Sequence, residues 1–323
     1  MATRFLNSGN PIVIIAVIIV CTALRAGVFT GEFPQSNIQA LPFFYDLLFI
    51  ELQKSSVLNF ISGLLLAIIQ GLVFNRMVQE QKLITRISNL PFAVFLLLTS
   101  LFPQTALLSP QLVAATFALL ALKVLFSNAK STFSIQKYFQ TGLFLGIAGL
   151  FEPAALLFLI FPFFNALYFH VQYFRSFTIP LIGFALSYYL AYGFASVIAG
   201  RFLFDWQHFL LRPQMGSFTG YFYYASVLFT SLLIGFGFPV LNKLSIETVQ
   251  VRKVYLLLFW WASICLPVFI FSGMQGLAVF TLAMASIAAM ISYLLFYSKR
   301  TLISDFIIYG IVVLTFINNW VLR

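Results

Sequence analysis

Long apolar runs, separated by short polar or basic connections, occupy almost the whole 323-residue chain. A helix needs about 20 apolar residues to cross a hydrocarbon core of about 30 Å. The eleven runs that we read as crossings, several of them short, lie at residues 10–29, 57–75, 90–103, 110–127, 139–152, 154–169, 178–199, 221–241, 254–272, 276–297 and 303–320. The pattern predicts an all-α, polytopic transmembrane helical bundle of about eleven helices, and a single integral membrane domain over residues 1–323.

Basic residues indicate how the shorter runs pair. Lys and Arg flank the stretches 90–127, 139–169 and 254–297 on both sides. Cytoplasmic connections of membrane proteins collect basic residues, so both flanks of each stretch should lie on the same side. Each stretch therefore predicts a short helical hairpin, with turns near Pro103 and at Glu152-Pro153 in the first two.

The same rule predicts the orientation of the chain. With the N-terminus inside, thirteen of the 18 basic residues fall on the cytoplasmic side and five on the outer side. This ratio favours an inner N-terminus and an outer C-terminus.

Composition supports the membrane class. Charged residues make up 8% of the chain, against about 25% in a typical soluble domain. The net charge of +10 would suggest nucleic acid in a soluble protein, but here the basic residues act as orientation signals, so we expect membrane lipids as partners and no nucleic acid. Cys21 and Cys265 lie within apolar runs and are predicted to be packing residues.

Two outer connections are longer than the others, at about residues 30–56 and 200–220. Both are amphipathic, which predicts helices that lie on the outer membrane surface. Function is expected on this side.

The available chemistry is sparse, with eight carboxylates and two histidines in the chain. His170 and His208 are predicted on opposite sides of the membrane, which excludes a shared histidine metal site. No phosphate-binding loop of the GxxxxGK[ST] type occurs. We expect no cofactor, and a divalent metal at Glu32 is an alternative without supporting ligands.

Two acids are candidates for function. Glu32 follows the first helix on the outer side, where it is either a general base or an ordinary solvated loop acid. Glu152 lies at a hairpin tip, where it is either a solvated turn residue or, below the headgroups, an intramembrane functional acid.

Four basic residues are candidates for substrate binding. Arg201, His208 and Arg212 are spaced by seven and four residues, which places them on one face of a helix. Such a face either grips the phosphates of a lipid-linked substrate or anchors an interfacial helix to headgroups. Arg25, near the outer end of the first helix, either joins this cluster or extends its charged end to the membrane surface.

The layout resembles the GT-C superfamily of polyprenyl-phosphate-sugar glycosyltransferases. In both, a first helix leads into an acid-bearing outer loop with a surface helix, followed by short hairpins. Residues 98–125 are similar to the family's third and fourth helices, and residues 140–164 to its next pair; they read LTSLFPQTALLSPQLVAATFALLALKVL and QTGLFLGIAGLFEPAALLFLIFPFF. The likeness covers about the first 200 residues. Active members usually carry an acidic pair in the first outer loop, whereas Glu32 stands alone here.

The resemblance implies a protein that handles a polyprenyl-linked glycan on the outer face of the inner membrane. It assigns the base role to Glu32, and the binding of lipid phosphate to Arg201, Arg212 and His208. The chain also resembles an uncharacterised family of bacterial inner-membrane proteins. Two alternatives stay open: a non-enzymatic pseudoenzyme or scaffold that packs against partner subunits of a cell-envelope assembly complex, and an enzyme similar to O-antigen polymerases or ligases. Whether the chain is an enzyme is therefore left open.

Overall fold

The computed structural model describes residues 2–30, 48–49, 51–52, 55–128, 134–169, 173–199, 220–244, 247–271, 276–298 and 300–320. The α-helices in these residues are α1 (Ala2–Leu6), α2 (Pro11–Ala26), α3 (Ser56–Glu80), α4 (Leu90–Thr99), α5 (Pro110–Asn128), α6 (Ile135–Phe151), α7 (Phe161–Phe169), α8 (Tyr173–Ala199), α9 (Gly220–Lys243), α10 (Val249–Phe271), α11 (Gly276–Phe296) and α12 (Thr301–Trp320). Each of the eleven predicted runs corresponds to one of α2 to α12. The predicted all-α bundle is confirmed.

Membrane-spanning length is clear for most of these helices. Among the described residues, seven helices are long and apolar enough to cross a membrane: α2, α3, α5, α8, α9, α10 and α12. The chain is therefore a multi-pass membrane protein. The side of the membrane on which each terminus lies stays a prediction.

Helix α4 differs from the predicted crossing at residues 90–103. It has ten residues, all of them buried, and its length of about 15 Å is half that of a hydrocarbon core. It packs against α2, α3, α11 and α12 inside the bundle. An apolar side chain packs favourably on other protein side chains as well as on lipid. A central helix and a lipid-facing helix therefore have the same sequence pattern.

The segment that follows α6 begins as a 3-10 helix, Pro153–Ile160, and continues as α7. A 3-10 helix rises about 2.0 Å per residue, against about 1.5 Å in an α-helix. The 17 residues 153–169 therefore reach about 30 Å, which matches the hydrocarbon thickness.

Small residues let α6 and α8 approach closely. A Cβ at Gly142 would overlap the backbone of Pro180, and a Cβ at Gly183 would lie 2.9 Å from the amide nitrogen of Leu143. Beside them, Ser187 Oγ donates to the carbonyl oxygen of Leu143 at 3.0 Å. Close backbone contact of this kind is a common way for helices to associate in membranes.

The two ends of the bundle carry different polar contacts. At the end that we call the Glu80 end, Glu80 accepts from Arg76 at 2.7 Å and lies 3.7 Å from Lys123. At the other end, which we call the Arg25 end, Arg25 contacts the residues that follow α4. In the predicted orientation, the Arg25 end faces outward and the Glu80 end faces the cytoplasm.

Two smaller predictions also have outcomes. Cys21 and Cys265 are free and buried, which confirms them as packing residues. Within the loop at 30–56, the described residues are 30, 48–49, 51–52 and 55–56; 48–49 and 51–52 are helical, and Phe49 packs on Phe151 at the Arg25 end, with ring centroids 6.4 Å apart. The rest of that loop and the whole of residues 200–219 lie outside the described residues.

Candidate functional site

Two of the six candidate site residues fall within the described residues, and both lie at the Arg25 end. They are Arg25, near the end of α2, and Glu152, directly after α6. Ser100, which follows α4, contacts Arg25, and Gln111, in the first turn of α5, contacts Glu152. Glu32, Arg201, His208 and Arg212 lie outside the described residues, so their roles stay predictions.

Glu152 is positioned by the break between α6 and the 3-10 helix. Its backbone is extended, with φ −141° and ψ 107°, and its N–H donates to the carbonyl oxygen of Ala148 at 2.9 Å. Its Oε1 accepts from the N–H of Ala154 at 3.3 Å, which caps the 3-10 helix. Pro153 has no N–H, so the hydrogen bond of the cap is made with the N–H of the next residue, Ala154. The side chain of Gln111 supplies a second hydrogen bond to the carboxylate.

Apolar rings and one further helix surround this carboxylate. Phe151 stacks on Phe117 with ring centroids 6.1 Å apart and planes 1° apart. Thr281, in α11, donates to the carbonyl oxygen of Gln111 at 3.3 Å. Glu152 is a partly buried residue, and its carboxylate is held in a fixed orientation by Ala154 and Gln111. A carboxylate of this kind can accept hydrogen bonds from hydroxyl groups of a ligand.

Arg25 lies deeper, with no exposed surface. Its Nε donates to Ser100 Oγ at 2.8 Å, and its Nη2 donates to Thr99 Oγ1 at 3.0 Å. These contacts join α2 to the end of α4. The guanidinium therefore lies inside the bundle, whereas Glu152 is a partly exposed residue.

No family model, curated protein or solved structure matches this chain.

Sequence reasoning missed the amides at the end of α12. Asn318 and Asn319 are fully buried at the Arg25 end, and Asn319 donates to the carbonyl oxygen of Ser100 at 2.8 Å. The signal was present, because two adjacent amides in an apolar helix are costly in a membrane unless they are hydrogen-bonded. They were missed because the residues around them form one apolar run, 303–320.

Metal ligands do not gather in the described part of the chain. No group of three or more His, Cys, Asp or Glu side chains converges there. The chemistry of the Arg25 end is thus hydrogen bonding and charge from a few separate groups.

Proposed function

We propose that this protein is a GT-C-like inner-membrane protein that handles a polyprenyl-linked glycan at the Arg25 end of the bundle. The observation that carries the proposal is the carboxylate of Glu152, which is held by Ala154 and Gln111 at the membrane end of a helical hairpin. Acids at such positions are costly, and they commonly mark binding or transfer sites.

The proposed substrate has two parts that need different partners. Its glycan carries hydroxyl groups, which would donate to Glu152. Its phosphate carries negative charge, which would be held by Arg201 and Arg212, with His208 beside them on the same predicted helical face. The polyprenyl chain would lie in the lipid alongside the bundle.

The proposed reaction is glycosyl transfer. Glu32 takes the proton of an acceptor hydroxyl, whose oxygen attacks the anomeric carbon of the sugar. The bond from that carbon to the phosphate oxygen breaks, and the polyprenyl phosphate leaves with its electron pair while the arginines stabilise its charge. The sugar-phosphate bond is already activated, so the reaction needs no nucleotide.

The test is mass spectrometry of lipids that copurify with the protein. Wild type is compared with Arg212→Ala and with Arg76→Ala, which removes an exposed arginine at the Glu80 end. The proposal expects bound polyprenyl phosphate in wild type and in Arg76→Ala, and its loss in Arg212→Ala. Absence of the lipid from wild type contradicts the proposal. Unchanged cell glycan in Glu32→Gln, together with a copurifying membrane protein, favours the scaffold alternative.

A further inference from the structure

A closed polar junction lies where α2, α4 and α12 meet. We define the Arg25 junction as Arg25, Thr99, Ser100, Asn318 and Asn319. Thr99 is 1% exposed and the other four residues have no exposed surface. The indole of Trp320 closes the junction from one side, because its Nε1 donates to the carbonyl oxygen of Leu24 at 3.3 Å.

One nitrogen of the Arg25 guanidinium has no hydrogen-bond acceptor among the residues that the structure describes. Nε and Nη2 donate to the hydroxyls of Ser100 and Thr99, which are neutral groups. Those two hydroxyls in turn donate to the carbonyl oxygen of Leu96, at 2.7 and 3.0 Å. Nη1 is buried and makes no hydrogen bond to any described residue. Leaving a buried donor unpaired is destabilising, and more so when the group is charged.

The two amides of the junction have unpaired acceptor atoms, whereas Arg25 has an unpaired donor, among the described residues. Asn319 Nδ2 donates to the carbonyl oxygens of Ser100 and Thr315, and Asn318 Nδ2 donates to that of Leu101. Rotating either amide by 180° would place its oxygen against those carbonyl oxygens, so both orientations are fixed. The Oδ1 atoms of Asn318 and Asn319 are then buried acceptors that receive no hydrogen bond from the described part of the chain.

Among the described residues, the charge of Arg25 has no counter-charge. A guanidinium keeps its proton in proteins, and Arg25 forms no ion pair with any residue that the structure describes. Of the five described carboxylates, Glu80 binds Arg76, Glu247 accepts from Tyr293, Asp305 accepts from Thr3, Glu152 is held by Ala154, and Glu51 is exposed. A buried charge without a counter-charge is strongly destabilising.

We propose that the Arg25 junction binds a small monovalent inorganic anion of chloride size, together with bridging water. The anion accepts from Arg25 Nη1 and balances the buried charge. A water molecule that donates one hydrogen to the anion and the other to an Asn Oδ1 satisfies both kinds of unpaired group. A small ion is proposed because the junction is closed, with no member more than 1% exposed.

Bromide tests the site without any mutation. Crystals of the wild-type protein are grown with bromide in place of chloride, and anomalous scattering is measured at the bromine absorption edge. The proposal expects an anomalous peak within hydrogen-bond distance of Arg25 Nη1. Density without an anomalous signal at that position means water alone, and overturns the proposal.

Thermal unfolding in detergent tests the site in solution. At constant ionic strength, replacement of gluconate by chloride should raise the midpoint of wild type by about 2–4 °C, because a ligand that binds the folded state stabilises it. Arg25→Met should lose this response, whereas the exposed control Arg76→Met should keep it. Equal midpoints of wild type in chloride and gluconate overturn the proposal. If Arg25→Met does not fold, the wild-type measurements in bromide and chloride still decide.

Discussion

The side-chain amide of Asn319 donates a hydrogen bond to the carbonyl oxygen of Ser100 at 2.8 Å, across 219 positions of sequence. This contact fixes the end of α12 against the end of α4. Close approach is possible there because Gly27, just after α2, has no side chain. The Arg25 end thus depends on two features, a buried amide and a glycine.

Gly27→Ala should destabilise the protein. The added Cβ would lie 2.6 Å from the carbonyl oxygen of Asn319 and 2.8 Å from the Trp320 ring, so backbone would have to move. We expect a loss of about 1–3 kcal/mol in the free energy of unfolding, measured by denaturant titration in detergent. Gly310→Ala is the control, because its Cβ would meet nothing within 4 Å. Equal stability of the two variants would contradict this account of the α2–α12 contact.

Gln70 should couple to Thr116 across the α3–α5 interface. Gln70 Nε2 donates to Thr116 Oγ1 and to the carbonyl oxygen of Leu112, both at 2.7 Å. A double-mutant cycle with Gln70→Leu and Thr116→Val should give a coupling energy of about 0.6 kcal/mol, typical of hydrogen bonds between membrane helices. Gln136→Leu, at an exposed position of α6, should show no coupling to Thr116→Val. A coupling energy of zero for the first pair would refute the proposed contact.

Lys82 should tolerate glycine better than valine. It follows the end of α3 and has φ 53°, in the left-handed region. Its N–H donates to the carbonyl oxygen of Gln79 at 3.0 Å, and the N–H of Leu83 donates to the carbonyl oxygen of Val78 at 3.0 Å. This pattern is a Schellman motif, in which glycine is preferred. Lys82→Gly should raise the free energy of unfolding by up to about 1 kcal/mol, and Lys82→Val should lower it. Greater stability of the valine variant would show that the turn has another conformation.

Glu152→Gln and Glu152→Ala should distinguish the role of Glu152 in capping the 3-10 helix from its proposed role in binding the glycan. The amide oxygen of glutamine can still accept from the N–H of Ala154, so Glu152→Gln should keep the thermal stability of wild type. Glu152→Ala removes the cap and should cost about 0.5–2 kcal/mol. Both variants should lose binding of the polyprenyl-linked glycan, measured by mass spectrometry of bound lipid. Retention of that lipid by both would remove Glu152 from the proposed site.

The helices were predictable from sequence because long apolar runs that cross a membrane form helices, which satisfy their backbone hydrogen bonds within the segment. Their surroundings were less predictable. Leu90 to Thr99 are as apolar as a lipid-facing segment, yet they lie wholly inside the bundle. The left-handed turn at Lys82 carries no glycine to mark it.

The candidate site was predictable only in part. Glu152 was found because an acid before proline interrupts an apolar run. Asn318 and Asn319 were missed, since their role depends on Ser100, more than two hundred positions away. Contacts of this kind follow from the tertiary arrangement, which the local pattern does not encode.

Photo-crosslinking at Gln111 tests the central claim most directly, because this side chain contacts Glu152. The substitution Gln111→p-benzoyl-phenylalanine is compared with the same substitution at Gln136, an exposed position in the first turn of α6, at the Glu80 end. Membranes that contain a tagged polyprenyl-phosphate sugar are irradiated, and crosslinked lipid is quantified. The account predicts strong labelling at position 111, competed by untagged lipid, and little at position 136. Equal labelling at both positions, or labelling that untagged lipid does not compete, would contradict it.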